Sequence, residues 1–216
     1  MNHRVYLWFS TCKMSTKRRT MDERNYLIHP QYLAMGLLLM GISALFLGFS
    51  AAYLYNRVQS GLEPIQLPIL FVFNALILVG SSLTLNYART YYKEDKTLKY
   101  QQALAVTLFL TILFLGSQIV AWMQMYDRGI FVNNDNMTSY LYIISIVHFA
   151  HVIAGIPFLG IFLYKSLKLM KEPVSVLVYF SDPYKKRHLN LLTMYWHFLD
   201  FLWIYLVLFF LVNSFI

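Results

Sequence analysis

Long apolar stretches alternate with short polar ones along most of this chain. Five of them, each at least 22 residues long, lie at 32–55, 67–88, 101–125, 139–164 and 190–215. The hydrocarbon core of a bilayer, about 30 Å thick, needs about 20 such residues per helix. None of the stretches alternates polar and apolar residues with a period of two, which argues against a transmembrane barrel. The pattern therefore predicts an all-α polytopic membrane protein, a bundle of five transmembrane helices.

The composition supports this fold class. Of 216 residues, 58% are hydrophobic and only 13% are charged, whereas about 25% are charged in a soluble domain. A soluble protein of this length has too much surface to cover with so few charges, which excludes a soluble globular enzyme, a disordered chain and a coiled coil. The single cysteine, Cys12, excludes a disulfide framework and a cysteine-rich metal site.

The basic residues predict an orientation. Sixteen of the eighteen Lys and Arg residues lie in the N-terminal segment and in the second and fourth loops, whereas the first and third loops hold only Arg57 and Arg128. Positively charged loops stay in the cytoplasm. We therefore predict a basic cytoplasmic tail at 1–30, a five-helix transmembrane domain at 31–216 and a cytoplasmic N-terminus. Topology accounts for the net charge of +8, so no nucleic-acid partner is needed.

Small residues recur along the first span at spacings of three and four. In a membrane such residues let helix backbones approach closely. This spacing predicts one face against which another helix packs, formed by Gly41, Ala44, Gly48 and Ala51.

Polar and ionisable residues lie within the later spans. His148 and His151 are three apart in the fourth span, and His197 stands one turn before Asp200 in the fifth. A charge near the bilayer centre costs at least about 2.5–3.5 kcal/mol, so such a group faces a partner. We predict that His197, or a histidine of the fourth span, is the partner of Asp200. With Gln118 of the third span, these residues are interpreted as a structural polar network.

Two other interpretations of the histidines and the carboxylate remain open. Two imidazoles and a carboxylate can hold a transition metal, but His148-x-x-His151 lacks the spacing and the adjacent glutamate of metalloprotease zinc sites. A proton relay is the other, because histidine titrates near neutrality. We expect neither a metal nor a catalytic residue in this chain, which shows no phosphate loop, nucleophile elbow or haem-attachment cysteine pair.

Three segments resemble one family. The last span reads Tyr-Trp-His-Phe-Leu-Asp-Phe-Leu-Trp from Tyr195, and the fourth reads His-Phe-Ala-His-Val-Ile-Ala-Gly from His148. They resemble the Tyr-Trp-His-Phe-Val/Leu-Asp-x-x-Trp and Phe-His-Gly-x-His-Val-x-x-Gly motifs of subunit III of haem–copper oxidases, the cytochrome c oxidase family. Gln118, Trp122 and Tyr126 are similar to its Gln-x-x-Glu-Tyr region without the glutamate. Five spans match the family's five-helix bacterial form.

The resemblance implies a non-catalytic subunit of a proton-pumping oxidase of aerobic respiration in the bacterial inner membrane. It implies direct contact with subunit I, the presence of subunit II in the same complex and surrounding membrane lipids. Haems and copper would lie in the partner subunits and none in this chain. The expected role is to support assembly, proton uptake and stability of subunit I. Alternatives are subunit III of a quinol oxidase, an accessory subunit of nitric oxide reductase and, from other classes, a small proton-coupled transporter or a membrane metalloenzyme.

Overall fold

The computed structural model describes residues 29–60, 68–132, 136–170 and 172–215. Within these ranges the chain is helical and contains no strand. Five of the described helices are long and apolar enough to cross a membrane, and another described helix is too short. The predicted all-α, five-span fold is confirmed. The helices are α1 (Pro30–Ser60), α2 (Leu70–Lys93), α3 (Thr97–Asp127), α4 (Asn136–Leu169), α5 (Pro173–Ser181) and α6 (Pro183–Phe215).

Most of these helices extend beyond the predicted spans. The largest difference is at α6, which begins at Pro183, whereas the last apolar stretch begins at residue 190. Hydropathy marks only the part of a helix that meets lipid, but the backbone hydrogen bonds continue into the polar flanks. The predicted start of the second span, residue 67, and residues 1–28 of the predicted tail lie outside the described residues.

Contacts divide the chain into two compact units, Met1–Gly41 and Ile42–Ile216. The described part of the first unit is the beginning of α1. Pro30 opens this helix, where its fixed φ and missing N–H are tolerated. Leu33, Leu37 and Met40 of the same segment are exposed, as lipid-facing side chains are.

In the second unit, α2 and α3 form the most extensive helix pair. Only the turn of Glu94, Asp95 and Lys96 separates them, and Asp95 adopts a positive φ of 55°. So short a connection makes the two helices antiparallel neighbours. The last helix, α6, packs against both α2 and α4, and α3 also packs against α4. The helix α6 therefore joins α2 to α4 on one side, as α3 joins the same two helices on another.

Aromatic rings fill the space between these helices. Trp203 of α6 stacks on Phe71 of α2 at 5.7 Å between ring centroids. Its ring also meets Phe114 of α3 edge-to-face at 5.3 Å. Lipid tails are as apolar as the side chains, so close packing rather than the hydrophobic effect drives helix association in a bilayer. Interlocking rings provide such packing, because aromatic pairs stabilise beyond the area that they bury.

A second aromatic cluster lies where α2 ends and α3 begins. Tyr92 and Tyr100 pack edge-to-face at 5.5 Å, and Phe180 of α5 meets the Tyr92 ring at 5.1 Å. The Tyr92 hydroxyl donates to the backbone carbonyl of Tyr179 at 3.0 Å. Burial raises the pKa of the Tyr179 phenol above its ordinary value. The cluster holds the short helix α5 against the ends of α2 and α3.

One glycine of α4 permits a close helix approach and supplies a stability test. A Cβ built at Gly155 would lie 2.8 Å from the Trp196 ring and 3.1 Å from the Tyr195 ring of α6. We expect Gly155→Ala to destabilise the protein by about 1–3 kcal/mol, the usual cost of overpacking. Thermal unfolding in detergent, followed by tryptophan fluorescence, measures the change.

Gly160→Ala is the matched control on the same helix. A Cβ at Gly160 meets nothing within 4 Å, so we expect this variant to be neutral or stabilised by up to about 1 kcal/mol through helix propensity. Equal unfolding temperatures for the two variants would contradict a tight contact between α4 and α6 at Gly155.

Candidate functional site

Polar side chains of α6 meet polar side chains of α2 along the contact between the two helices, where His197 is half-buried and Asn86 is exposed. His197 Nδ1 lies 2.5 Å from Ser82 Oγ, and His197 Nε2 lies 2.9 Å from Asn86 Oδ1. Ser82 and Asn86 are four residues apart and therefore share one face of α2. Both nitrogens of the imidazole are thus bonded to the neighbouring helix, which fixes the orientation of the ring.

Asp200 lies one turn further along α6 and is only 4% exposed. Its carboxylate faces the Ser82 hydroxyl as a hydrogen-bond partner. The second oxygen, Oδ2, is buried without a partner among the described residues. The ion pairs found in the described part of the chain involve other residues. The partner of Asp200 is therefore a serine of α2 and not the predicted histidine.

Two placements of the protons satisfy the hydrogen bonds around Ser82. The amide oxygen of Asn86 accepts, so His197 Nε2 carries a hydrogen. If Asp200 is protonated, it donates to Ser82, which donates to Nδ1 of a neutral His197. If Asp200 is ionised, Ser82 donates to it and accepts from an imidazolium. Either placement leaves the cluster without net charge, and a neutral, bonded group is far cheaper to bury than an isolated ion.

His148 occupies an aromatic pocket rather than a hydrogen-bonded site. The residue is fully buried, and its ring lies 4.9 Å from that of Trp203, 6.0 Å from that of Phe114 and 6.5 Å from that of Phe46. Neither of its ring nitrogens has a hydrogen-bond partner in the described part of the chain. His148 therefore joins α4 to α6 through ring packing.

His151 points away from the carboxylate cluster. Its Nδ1 donates to the carbonyl of Val147 in the preceding turn of α4 at 2.7 Å. Its own carbonyl accepts the hydroxyl of Tyr195, from α6, at 2.9 Å. The residue links α4 and α6 through its backbone, while its side chain is satisfied within its own helix.

Gln118 belongs to a third polar group, between α2 and α3. The amide of Asn74 donates to Gln118 Oε1 at 2.8 Å, and Ser117 donates to Asn74 Oδ1 at 2.5 Å. Asn74 and Gln118 are fully buried. Thr84 and Thr107 form a similar contact at 2.8 Å between the same helices.

The structure thus divides the predicted set into separate groups rather than one hydrogen-bonded network. Ser82 and Asn86 are the functional partners that sequence reasoning missed. Their spacing of four in the second span is the signal that could have revealed them. Among the described residues, no three His, Cys, Asp or Glu side chains come together as potential metal ligands.

The small-residue face of α1 lies on the surface of the chain. Gly41, Ala44, Gly48 and Ala51 are all exposed. A Cβ built at Gly48 meets no described atom within 4 Å. Packing of another helix on this face remains a prediction, and the partner would come from outside the described residues.

The chain is also similar in sequence to a known protein family. The family model described as cytochrome c oxidase subunit III matches residues 58–214, which include α2, α3, α4 and α6. The chain belongs to the cytochrome c oxidase subunit III family. The predicted family is therefore confirmed. Membership places the protein in a multi-subunit haem–copper oxidase, an oxidoreductase, and agrees with five helices that can cross a membrane.

Relatives named cytochrome c oxidase subunit 3 match along most of their length. One from Bacillus subtilis strain 168 is 25% identical over 210 residues, which cover 91% of this chain and 90% of the relative. One from Bacillus sp. strain PS3 is 27% identical over 181 residues, or 82% of each chain. One from Thermostichus vulcanus is 26% identical over 184 residues, which cover 82% of this chain and 86% of the relative.

Removal of the central hydroxyl tests the cluster of Ser82, Asn86, His197 and Asp200. We expect Ser82→Ala to lower the free energy of unfolding by about 1–3 kcal/mol, because it leaves His197 Nδ1 and the Asp200 carboxylate without their partner. Denaturant titration in mixed micelles measures the change.

Thr90→Ala is the control on the same helix, because the exposed Thr90 hydroxyl only donates to the Asn86 carbonyl of its own helix. We expect its effect to stay within about 0.5 kcal/mol. A Ser82→Ala protein as stable as the Thr90→Ala protein would show that the cluster does not hold α2 and α6 together.

Proposed function

We propose that this protein is the non-catalytic subunit III of a bacterial proton-pumping cytochrome c oxidase of the aerobic respiratory chain. In this proposal it lies in the inner membrane with its N-terminus in the cytoplasm and contacts subunit I directly. It supports the assembly, proton uptake and stability of subunit I. Subunit II belongs to the same complex, and the haems and copper are held by the partner subunits.

The way in which polar side chains are used inside the bundle supports this role. The signature residue His197 has both ring nitrogens engaged by Ser82 and Asn86, and Asp200 faces the same serine. A catalytic or transport site needs polar groups that are open to a substrate. Here the ring nitrogens of His197 bond to Ser82 and Asn86 and so join α6 to α2, which suits a non-catalytic subunit.

The family to which the chain belongs provides the second support. Residues 58–214 match the family model of cytochrome c oxidase subunit III. The same resemblance also fits the corresponding subunit of a quinol oxidase and an accessory subunit of nitric oxide reductase. The electron donor enters through other subunits, so the intact complex has to identify it.

Purification of the tagged chain in a mild detergent tests the proposal. We expect a large haem-bearing subunit to co-purify, with haem bands in a reduced-minus-oxidised spectrum and oxygen uptake with reduced cytochrome c. Uptake with a quinol alone would favour the quinol oxidase, and reduction of nitric oxide would favour the accessory subunit. A stable chain without haem or other subunits would contradict an oxidase role, and proton flux in vesicles would then test the transporter.

The exposed small-residue face of α1 gives a test of assembly that is separate from folding. We propose that a helix of another subunit packs on this face. Because a side chain at Gly48 meets open space within this chain, Gly48→Leu should leave its thermal stability unchanged. It should reduce the amount of haem-bearing subunit that co-purifies.

Gly116→Leu is the control for this substitution, since Gly116 of α3 is equally open and lies outside the small-residue face. We expect normal co-purification for this variant. Full assembly of the Gly48→Leu protein would show that the face meets lipid instead.

A further inference from the structure

We propose that α5 is a membrane-surface anchor on the basic side of the bilayer. Its apolar face inserts into the leaflet, and the lysines beside it bind anionic phospholipid headgroups. The proposal rests on the multi-pass fold and not on the oxidase function, so the two can fail independently. The observations that support it are the packing of the inner side of α5 and the exposure of its outer side.

The inner side of α5 fixes its level in the structure. Phe180 packs on the rings of Tyr92 and Tyr100 at 5.1 Å and 6.1 Å. Tyr92 immediately precedes Lys93, the last residue of α2, and α3 begins at Thr97. Two consecutive spanning helices are connected by a turn at the edge of the membrane. A helix that packs beside that turn therefore lies at the boundary between hydrocarbon and water. Tyrosine is enriched at this level because its ring is apolar and its hydroxyl polar.

The outer side of α5 is apolar and uncovered. Val174 is 74% exposed, Leu177 66% and Val178 62%. Positions i, i+3 and i+4 lie on one face of a helix. A helix that lies in the plane of the membrane interface buries its apolar face at the boundary between headgroups and acyl chains. In a leaflet this face would be covered by lipid, whereas at an aqueous surface three large apolar side chains would meet water.

Lysines flank this apolar face on both sides along the chain. Lys165 and Lys168 lie in the last turns of α4, and Lys185 and Lys186 in the first turn of α6. Lys185 extends over the Tyr179 ring at 4.2 Å from its centroid. The acidic residues in the same region are Glu172 and Asp182, and Asp182 lies 3.6 Å from Lys185.

The resulting charge favours an anionic partner. Residues 165–187 contain six Lys and Arg but two acidic residues, so the positive charge is in excess. Such clusters attract anionic lipid headgroups. Orientation alone explains the charges of this loop but does not explain why an exposed apolar face lies among them. A lipid surface with anionic headgroups matches both features.

A fluorescent label at position 177 tests the insertion. The full chain is prepared as Cys12→Ser with Leu177→Cys, labelled, and reconstituted in bilayers of phosphatidylcholine and phosphatidylglycerol. Quenching by a spin label near the lipid headgroup is compared with quenching by aqueous iodide. We expect the label at 177 to be quenched by the lipid probe and shielded from iodide. The reference variant Leu45→Cys, which is 43% exposed near the middle of α1, should also be shielded from iodide but lie too deep for strong quenching by the headgroup probe. Val174→Cys, on the same face of α5 as position 177, should behave as the label at 177 does.

Glu94→Cys, exposed in the turn between α2 and α3 and outside the proposed lipid-binding surface, is the aqueous control and should be quenched by iodide. A label at 177 that behaves like the one at 94 would overturn the proposal. Shielding from both quenchers, seen only when other subunits co-purify, would also overturn it, because that result assigns the face to a protein interface.

Charge selectivity is measured with the same labelled protein. Spin-labelled phosphatidylglycerol should quench the label at 177 about twofold more than spin-labelled phosphatidylcholine at equal mole fraction. Lys165→Gln, Lys168→Gln and Lys186→Gln together should bring that ratio to one, whereas Lys99→Gln, outside the loop, should leave it unchanged. Equal quenching by both lipids in the unaltered loop would contradict anionic headgroup binding.

Discussion

The absence of water inside a bilayer is the constraint on which this structure depends. A polar group that is buried there without a partner within the protein is costly. Ser82 is a partner for two residues at once, because its hydroxyl lies between His197 and Asp200. The cluster is complete only when α2 and α6 lie side by side in one register. A carboxylate in the last helix therefore defines where that helix packs.

Packing of aromatic rings joins the helices in addition to the hydrogen bonds. Trp203 of α6 meets rings from α2, α3 and α4, so one side chain joins four helices. His148 takes part as a flat ring, and its nitrogens have no partner among the described residues. Such contacts are directional, and a small change in helix rotation would break several of them together. This makes the bundle suited to holding a fixed surface against another protein.

Helix contacts also account for the polar signature that this chain of the cytochrome c oxidase subunit III family carries in its last span. The family motif from Tyr195 to Trp203 contains a histidine, an aspartate and two tryptophans. In the structure these residues contact neighbouring helices: His197 bonds to α2, Tyr195 bonds to the α4 backbone and Trp196 donates to Ser81 at 3.2 Å. Several side chains of the motif therefore serve as contacts between α6 and its neighbouring helices.

The amino-acid sequence alone predicts the helical class, the five spans and the family, because hydropathy acts locally along each helix and the signature residues of each motif lie close together in the chain. It also placed Gln118, His197 and Asp200 on helix faces that need partners. It could not name those partners, because they depend on the rotation and depth of separate helices. Only the tertiary structure assigned Ser82 to Asp200, separated His148 from the hydrogen-bonded groups and left the small-residue face of α1 uncovered.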